Sequence, residues 1–328
     1  MGRVKILFTS SLFTSFISED LNLLRKHYDV DHLVTLGATA PVKILAGVRR
    51  ATLTFTWFAS VYSFFVVQTA ALFRKRAILV VGGVDAAKDS EIGYGIWLSP
   101  WKSILVRSAL RNAFRVLPVD PSLGREVARL GNYDGKNIRW VPTGYDASFW
   151  IPAGPKEQQI LTVAACHDEG RLKAKGIDFL MSCARRLPET PFVVVGLTPP
   201  AFEKARGEAP SNVEIIPFLN RNELLGYYQR ARIYFQPSRT EGLPNSLCEA
   251  MLCGCIPVGT NVGGIPTAIG DAGFLAPYGD VDKMTAALKS ALVAQGTVGE
   301  EARGRIASEF TIERRERALL EIIGEAAA

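Results

Sequence analysis

Residues 238–264 read SRTEGLPNSLCEAMLCGCIPVGTNVGG. Glu241 and Glu249 stand eight positions apart in this stretch. Gly242 follows the first, and Leu243, Pro244 and Asn245 lead through a turn into an apolar run that carries the second. A strand-like run, Ile256 to Gly259, and the pair Gly263-Gly264 come next. Pro244 suits the first turn of a helix, where its missing N–H is not needed. The open N–H groups of such a helix start favour an anion. The pattern therefore predicts a loop feeding a helix, with Glu241 at the loop mouth and Glu249 on the helix behind it. Two carboxylates so placed can accept hydrogen bonds from hydroxyl groups of one molecule. Beside a helix start, that describes a pocket for a ligand with phosphates at one end and sugars around them.

The string Ser238, Glu241, Gly242, Glu249, Ala250, Met251, Gly254, Pro257, Gly263 and Gly264 resembles the E-x7-E motif of retaining GT-B glycosyltransferases, family 4 or group 1. The resemblance implies an α/β protein of GT-B architecture, two doubly wound Rossmann-like domains facing across a cleft. It implies transfer of a sugar from a nucleotide-diphosphate donor, such as a UDP- or GDP-sugar, with retained anomeric configuration. It also implies no cofactor and no metal. The acceptor would be a glycan or a polyprenyl- or other lipid-linked molecule. Three alternatives stay open: a sugar-nucleotide epimerase of the same architecture, a phosphorylase of related fold that would hold pyridoxal phosphate on a lysine, and a non-enzymatic nucleotide-binding member.

The surrounding sequence suits an α/β chain. Its 328 residues accommodate two domains, and 48% hydrophobic residues supply their cores. Short runs rich in Val, Ile and Leu alternate with helical segments in both halves, which argues for parallel sheets covered on both faces. In the first half the strands are expected at Val4–Phe8, Val30–Leu36, Leu53–Trp57, Ile78–Val81, Arg115–Pro118 and Ile138–Val141. In the second they are expected at Ile160–Ala164, Phe192–Val195, Val213–Pro217, Ile233–Gln236 and Ile256–Val258. Pro142, Pro152, Gly154 and Pro155 punctuate the chain near a boundary, giving domains 1–150 and 151–328, with the last helix able to return to the first.

The loop after Ile160–Ala164 offers Arg171, Lys173 and Lys175 before a helix that opens at Gly176 or Ile177. Cations at a helix start are unfavourable unless an anion lies between them. A diphosphate is such an anion. The family has a Lys-Gly here, matched by Lys175-Gly176, and an Arg whose role falls to Arg171 or Lys173. Phe218 and Leu219 stand where the family holds the nucleotide base. The resemblance thus gives Lys175, Arg171, Lys173, Phe218, Leu219, Glu241, Gly242, Leu243, Asn245 and Glu249 as donor-binding candidates. Glu241 and Lys175 are also catalytic candidates. In the first half, GGVDAAKDSEIGYG (82–95) is an irregular loop at a strand end. Asp85 is nearest the place of a family histidine and is a third catalytic candidate, with loop capping as its other reading. Thr9-Ser10-Ser11-Leu12-Phe13 replaces the family's Gly-Gly after the first strand.

Charge is uneven. Residues 1–150 hold 19 Lys and Arg against 11 Asp and Glu, and residues 151–328 hold 19 against 21. A basic front half suggests a polyanionic partner. The usual nucleic-acid motifs are absent. Trp97 and Trp101 precede a helix in which Arg107, Arg111 and Arg115 share one face if it runs on to Arg115. That arrangement is expected to meet an anionic membrane surface. Ala51 to Phe73 carries no charge, but divides into a strand and a helix rather than a span. The five cysteines and three histidines form no metal-ligand set, and buried free thiols in a reducing compartment are expected. The start does not read as a secretory signal. These features predict a cytoplasmic protein, peripheral on the inner face of a membrane.

Overall fold

A computed structural model describes residues 4–12 and 14–328. Two compact units divide the chain. The first holds residues up to Ser90, Gly95–Thr143 and Glu313–Ala328; the second holds Glu91–Tyr94 and Gly144–Ile312.

The first unit has five parallel strands: β1 (Lys5–Ser10), β2 (Asp29–Val34), β3 (Leu53–Trp57), β4 (Ala77–Val81) and β5 (Arg115–Pro118). Their order is β2-β1-β3-β4-β5. Every residue of β3 and β4 is buried, because helices cover both faces of a parallel sheet, and the side chains are apolar or, Thr54 excepted, paired. Thr9 and Thr56 meet the second condition by a mutual hydrogen bond of 2.8 Å. Phe8 stacks on Phe55 at 5.4 Å between β1 and β3. The chain order reverses between these two strands, so the unit's topological switch point lies there. Of the segment Thr9–Phe13, Thr9 and Ser10 end β1 at this point and Ser11 and Leu12 leave it; Phe13 lies outside the described residues.

Two expectations for this unit need correction. Ile138–Val141 is not a full strand. It runs along β5 through a single bridge, Val116 to Ile138, and the bonds Arg139 N to Val116 O and Val141 N to Pro118 O; Pro142 follows and cannot donate to a ladder. The condition for three arginines on one helix face is not met either: the helix ends at Asn112 and Arg115 opens β5, as the expected strand Arg115–Pro118 had it.

The second unit has six parallel strands: β6 (Glu157–Cys166), β7 (Phe192–Leu197), β8 (Val213–Pro217), β9 (Ala231–Gln236), β10 (Ile256–Thr260) and β11 (Phe274–Ala276). Their order, β11-β10-β9-β6-β7-β8, is the doubly wound dinucleotide-fold order, with its switch point between β6 and β9. Tyr234, Phe235, Phe192 and Tyr228 are fully buried in its core; each aromatic contributes about 1.5–3 kcal/mol by leaving water. The sequence reading missed β11 and the short helices Glu169–Ala174 and Ile265–Ile269.

The last helix, Ile312–Ala327, belongs to the first unit. Arg315 fixes it there. Its guanidinium grips both carboxylate oxygens of buried Asp20, the second at 2.6 Å, and donates to Pro142 O at 2.7 Å. Trp57 Nε1 donates to the same Asp20 at 2.9 Å.

Candidate functional site

In open α/β sheets ligands bind beyond the carboxyl ends of the strands at the switch point. In the second unit those ends are Cys166 and Gln236, and the loops leaving them supply Lys175 and Glu241. The two side chains meet: Lys175 Nζ lies 2.6 Å from Glu241 Oε2.

Their backbone explains the meeting. After β6 the chain makes the one-turn helix Glu169–Ala174, capped by Asp168, whose carboxylate accepts from Arg171 N at 2.8 Å. It then turns through Gly176 at φ +69°, where a Cβ would lie 2.0 Å from Pro237 O. Only glycine permits both the left-handed backbone and that approach. Arg239 N donates to Ala174 O at 2.9 Å and locks the two loops together. Gly263 plays the same part on the other side, since a Cβ there would lie 2.0 Å from Glu241 O, while Gly264 N donates to Gly242 O at 3.1 Å. The Gly263-Gly264 pair thus holds the Glu241-Gly242 loop.

Glu241 is held by more than Lys175. Its Oε2 also accepts from Ser238 Oγ at 3.0 Å and Gln236 Nε2 at 3.4 Å, and Gln236 donates to Ser238 Oγ at 2.8 Å. Gln236 and Ser238 are buried, so the carboxylate is oriented from below. Gln236 was not singled out by sequence reasoning; its signal is a long polar side chain closing an apolar strand. Burial works against the Lys175 charge, but the Glu241 carboxylate outweighs it and holds the ammonium above its ordinary value of 10.5.

Behind this pair runs the helix Asn245–Leu252. Its N-cap residue is Pro244, which offers no side-chain cap to the first N–H groups. Asn245 Oδ1 accepts from Tyr145 Oη at 2.8 Å. Glu249 lies one turn on, and its Oε2 accepts from Tyr228 Oη at 3.1 Å. Leu243 is buried beneath the loop.

The remaining candidates separate. Lys173 is turned to Glu169 at 3.0 Å, an i,i+4 pair on the surface. The Arg171 guanidinium has no hydrogen-bond or ion-pair partner among the described residues. Phe218 follows β8 and is 66% exposed, with Leu219 half-buried beside it. Asp85 lies in the first unit, buried, with its carboxylate accepting from Gly83 N at 2.7 Å, Ala59 N at 3.0 Å and Gly82 N at 3.1 Å. Burial raises its pKa, and these N–H groups oppose the rise. These bonds tie the loop to itself and to the chain that leaves β3. Among the described residues no group of three or more His, Cys, Asp or Glu side chains is arranged to hold a metal ion.

Comparison with known proteins fits this geometry. Residues 158–293 match the model of the family described as glycosyl transferases group 1. This part of the chain is similar to the group 1 glycosyltransferases. Alpha-maltose-1-phosphate synthase of Mycolicibacterium smegmatis is 26% identical over 262 residues, 71% of this chain and 65% of that protein. O-antigen chain mannosyltransferase B of Escherichia coli is 33% identical over 87 residues, 26% of this chain and 23% of its own. The chain thus spans less than two thirds of the length of each of these relatives. Among solved structures, sucrose-phosphate synthase from Thermosynechococcus elongatus aligns with a TM-score of 0.80 at 15% identity, over 98% of this chain and 99% of that one. Anabaena HepE in complex with UDP aligns with 0.75 at 14% identity, over 98% and 100%. These alignments run the length of the chain and show the GT-B fold.

Proposed function

We propose that the protein is a glycosyltransferase that moves a sugar from a nucleotide-diphosphate donor to a glycan or lipid-linked acceptor. The observation that carries this reading is the meeting of Lys175 and Glu241 at the switch point of the second unit, with Glu249 on the helix behind. The charge that grows on a departing diphosphate needs preorganised donors. Lys175 supplies an ammonium and Arg171 an unspent guanidinium; Lys173, already paired, is the weaker choice. The open helix start at Asn245 adds backbone N–H groups. Glu249 accepts from the ribose hydroxyls. Glu241, held by Gln236 and Ser238, accepts from a donor-sugar hydroxyl, and the diphosphate competes with it for Lys175. Phe218 and Leu219 flank the base.

Support for a nucleotide-sugar donor comes from relatives of this fold, including HepE, whose structures contain UDP and UDP-glucose. Transfer with retention, by attack on the face that the diphosphate leaves, and without a metal, is the chemistry we assign. Asp85 takes no step in it; its role is to fold the 82–95 loop. Incubation with UDP-, GDP- and ADP-sugars and a panel of glycan and polyprenyl-phosphate acceptors tests the proposal. Release of nucleoside diphosphate that depends on acceptor, unchanged by chelation, is expected. Conversion of donor without acceptor would instead indicate an epimerase.

A further inference from the structure

The helix Val61–Leu72, VYSFFVVQTAAL, has no charged residue, yet only Ser63, Val66, Val67 and Ala70 of it are buried. A helix apolar on all sides belongs in a core or a membrane. This one is at the surface of the first unit, with Tyr62 and Phe65 half-buried and Leu72 75% exposed. It lies between the helices Ala40–Arg50 and Pro100–Asn112, and Gln68 Nε2 donates to Ser108 Oγ of the latter at 3.0 Å. Both neighbours also expose apolar side chains. Val42 is 71% exposed on one, and Trp101 and Ile104 are 57% and 62% exposed on the other. Large apolar side chains are thus exposed on each of three packed helices, more than the scattered exposure normal for a surface.

The charges carried by these three helices all have one sign. No acidic residue occurs from His32 to Val84 or from Ile92 to Val119, so none of the three helices carries one. Lys43, Arg49, Arg50 and Arg74 are exposed and have no acidic partner among the described residues. The Arg49 guanidinium lies 6.0 Å from the Phe73 ring, which puts cation and apolar side chain side by side. Other basic residues nearby are already used. Lys75 Nζ donates to Val48 O and Arg49 O at 2.7 Å each, and Arg111 caps the helix Pro121–Gly131 through Gly131 O at 2.9 Å. Arg107 and Arg115 are likewise occupied, by Leu130 O and Glu325. The expected row of three arginines is therefore structural.

We propose that this three-helix face docks on an anionic lipid bilayer, its apolar side chains entering the interface and Lys43, Arg49, Arg50 and Arg74 meeting the headgroups. Two copies pairing through the face would set cation against cation with no acid to relieve them. A bilayer supplies both what the apolar side chains need and the opposite charge.

The full chain, without sugar nucleotide or acceptor, is mixed with phosphatidylcholine vesicles with and without phosphatidylserine, and binding is read by flotation. The result is thus independent of the donor-site reading. Binding to the anionic vesicles alone, weakened by salt, is expected, with a blue shift of tryptophan emission that Trp101→Phe removes. Arg49, Arg50 and Arg74 replaced together by Gln should weaken binding about a hundredfold, at roughly a factor of five per cation. Leu72, Trp101 and Ile104 replaced together by Ser should also release the protein; all six positions are exposed, so circular dichroism should show both variants folded. The proposal is overturned if no anionic vesicle binds at low salt or if neither variant weakens binding. It is equally overturned if the face proves to join two copies by sedimentation equilibrium, or binds duplex DNA and not vesicles.

Discussion

Lys175 and Glu241, 66 residues apart in the chain, are 2.6 Å apart in the fold, and the glycines that bring them together are part of the same sequence signal. Gly176 lets the Lys175 loop lie on Pro237, and Gly263 lets its own loop lie on Glu241. Gly176→Ala should therefore destabilise the second unit by about 1–3 kcal/mol from the left-handed backbone alone, with more from the clash. Urea unfolding checks this; an unchanged midpoint would show that the loop has room to move.

The two glutamates should behave differently. Glu249→Gln is expected to weaken binding of a free nucleoside diphosphate, because its place is with the ribose. Glu241→Gln should leave that binding intact or tighten it, since Lys175 loses its competing partner, while the transfer rate falls. Calorimetry on both variants, beside initial rates, distinguishes the roles. Equal loss of affinity in the two would remove the division.

The pH dependence follows from the Lys175 shift. Glu241 holds the Lys175 pKa above 10.5, so the ammonium stays charged through neutral and mildly alkaline pH. The contribution of the pair to stability is complete below the unfolded-state lysine pKa and is lost as pH rises through the folded one. Nucleotide affinity should accordingly show no lysine titration between pH 7 and roughly 10. A midpoint near pH 8 would place Lys175 in a different environment.

Much of this was legible in the sequence because each signal was local. Leu53–Trp57, Arg115–Pro118 and Val213–Pro217 are strands with those bounds, since short β-branched and apolar runs between turn residues have few other uses. Glu241 and Glu249 could be picked out because a motif fixes their spacing, and Lys175 because a Lys-Gly pair opens a helix after β6. What could not be read was which cation is already spent. Lys173 is taken by Glu169 only because a one-turn helix, announced by no more than Asp168, puts them four residues apart on one face. The Gln236–Ser238–Glu241 bonds depend on how β9 ends, and Tyr228–Glu249 joins two helices. Asp85 was a catalytic candidate because it stands nearest the place of a family histidine, with loop capping as its other reading. Its three backbone donors, one of them from Ala59, become visible only when the chain is folded.

The Asp20–Arg315 pair ties the last helix to the first unit. Both side chains are almost wholly buried, so removing one leaves a buried charge alone. Asp20→Ala should cost about 3–5 kcal/mol, while Asp20→Leu with Arg315→Met should recover much of it. Thermal unfolding of the single and double variants tests this; equal losses would mean that Trp57 and the Pro142 carbonyl matter more than the pair.

The central claim is that the second unit holds a nucleotide-diphosphate donor through Lys175. Isothermal titration of UDP, GDP and ADP into the wild-type protein and Lys175→Ala tests it most directly. One of the three should bind the wild type, and the variant should lose about 1.5–3 kcal/mol, the value of one charge-assisted hydrogen bond. Binding of equal strength to both proteins, or no binding of any diphosphate to the wild type, would contradict the account.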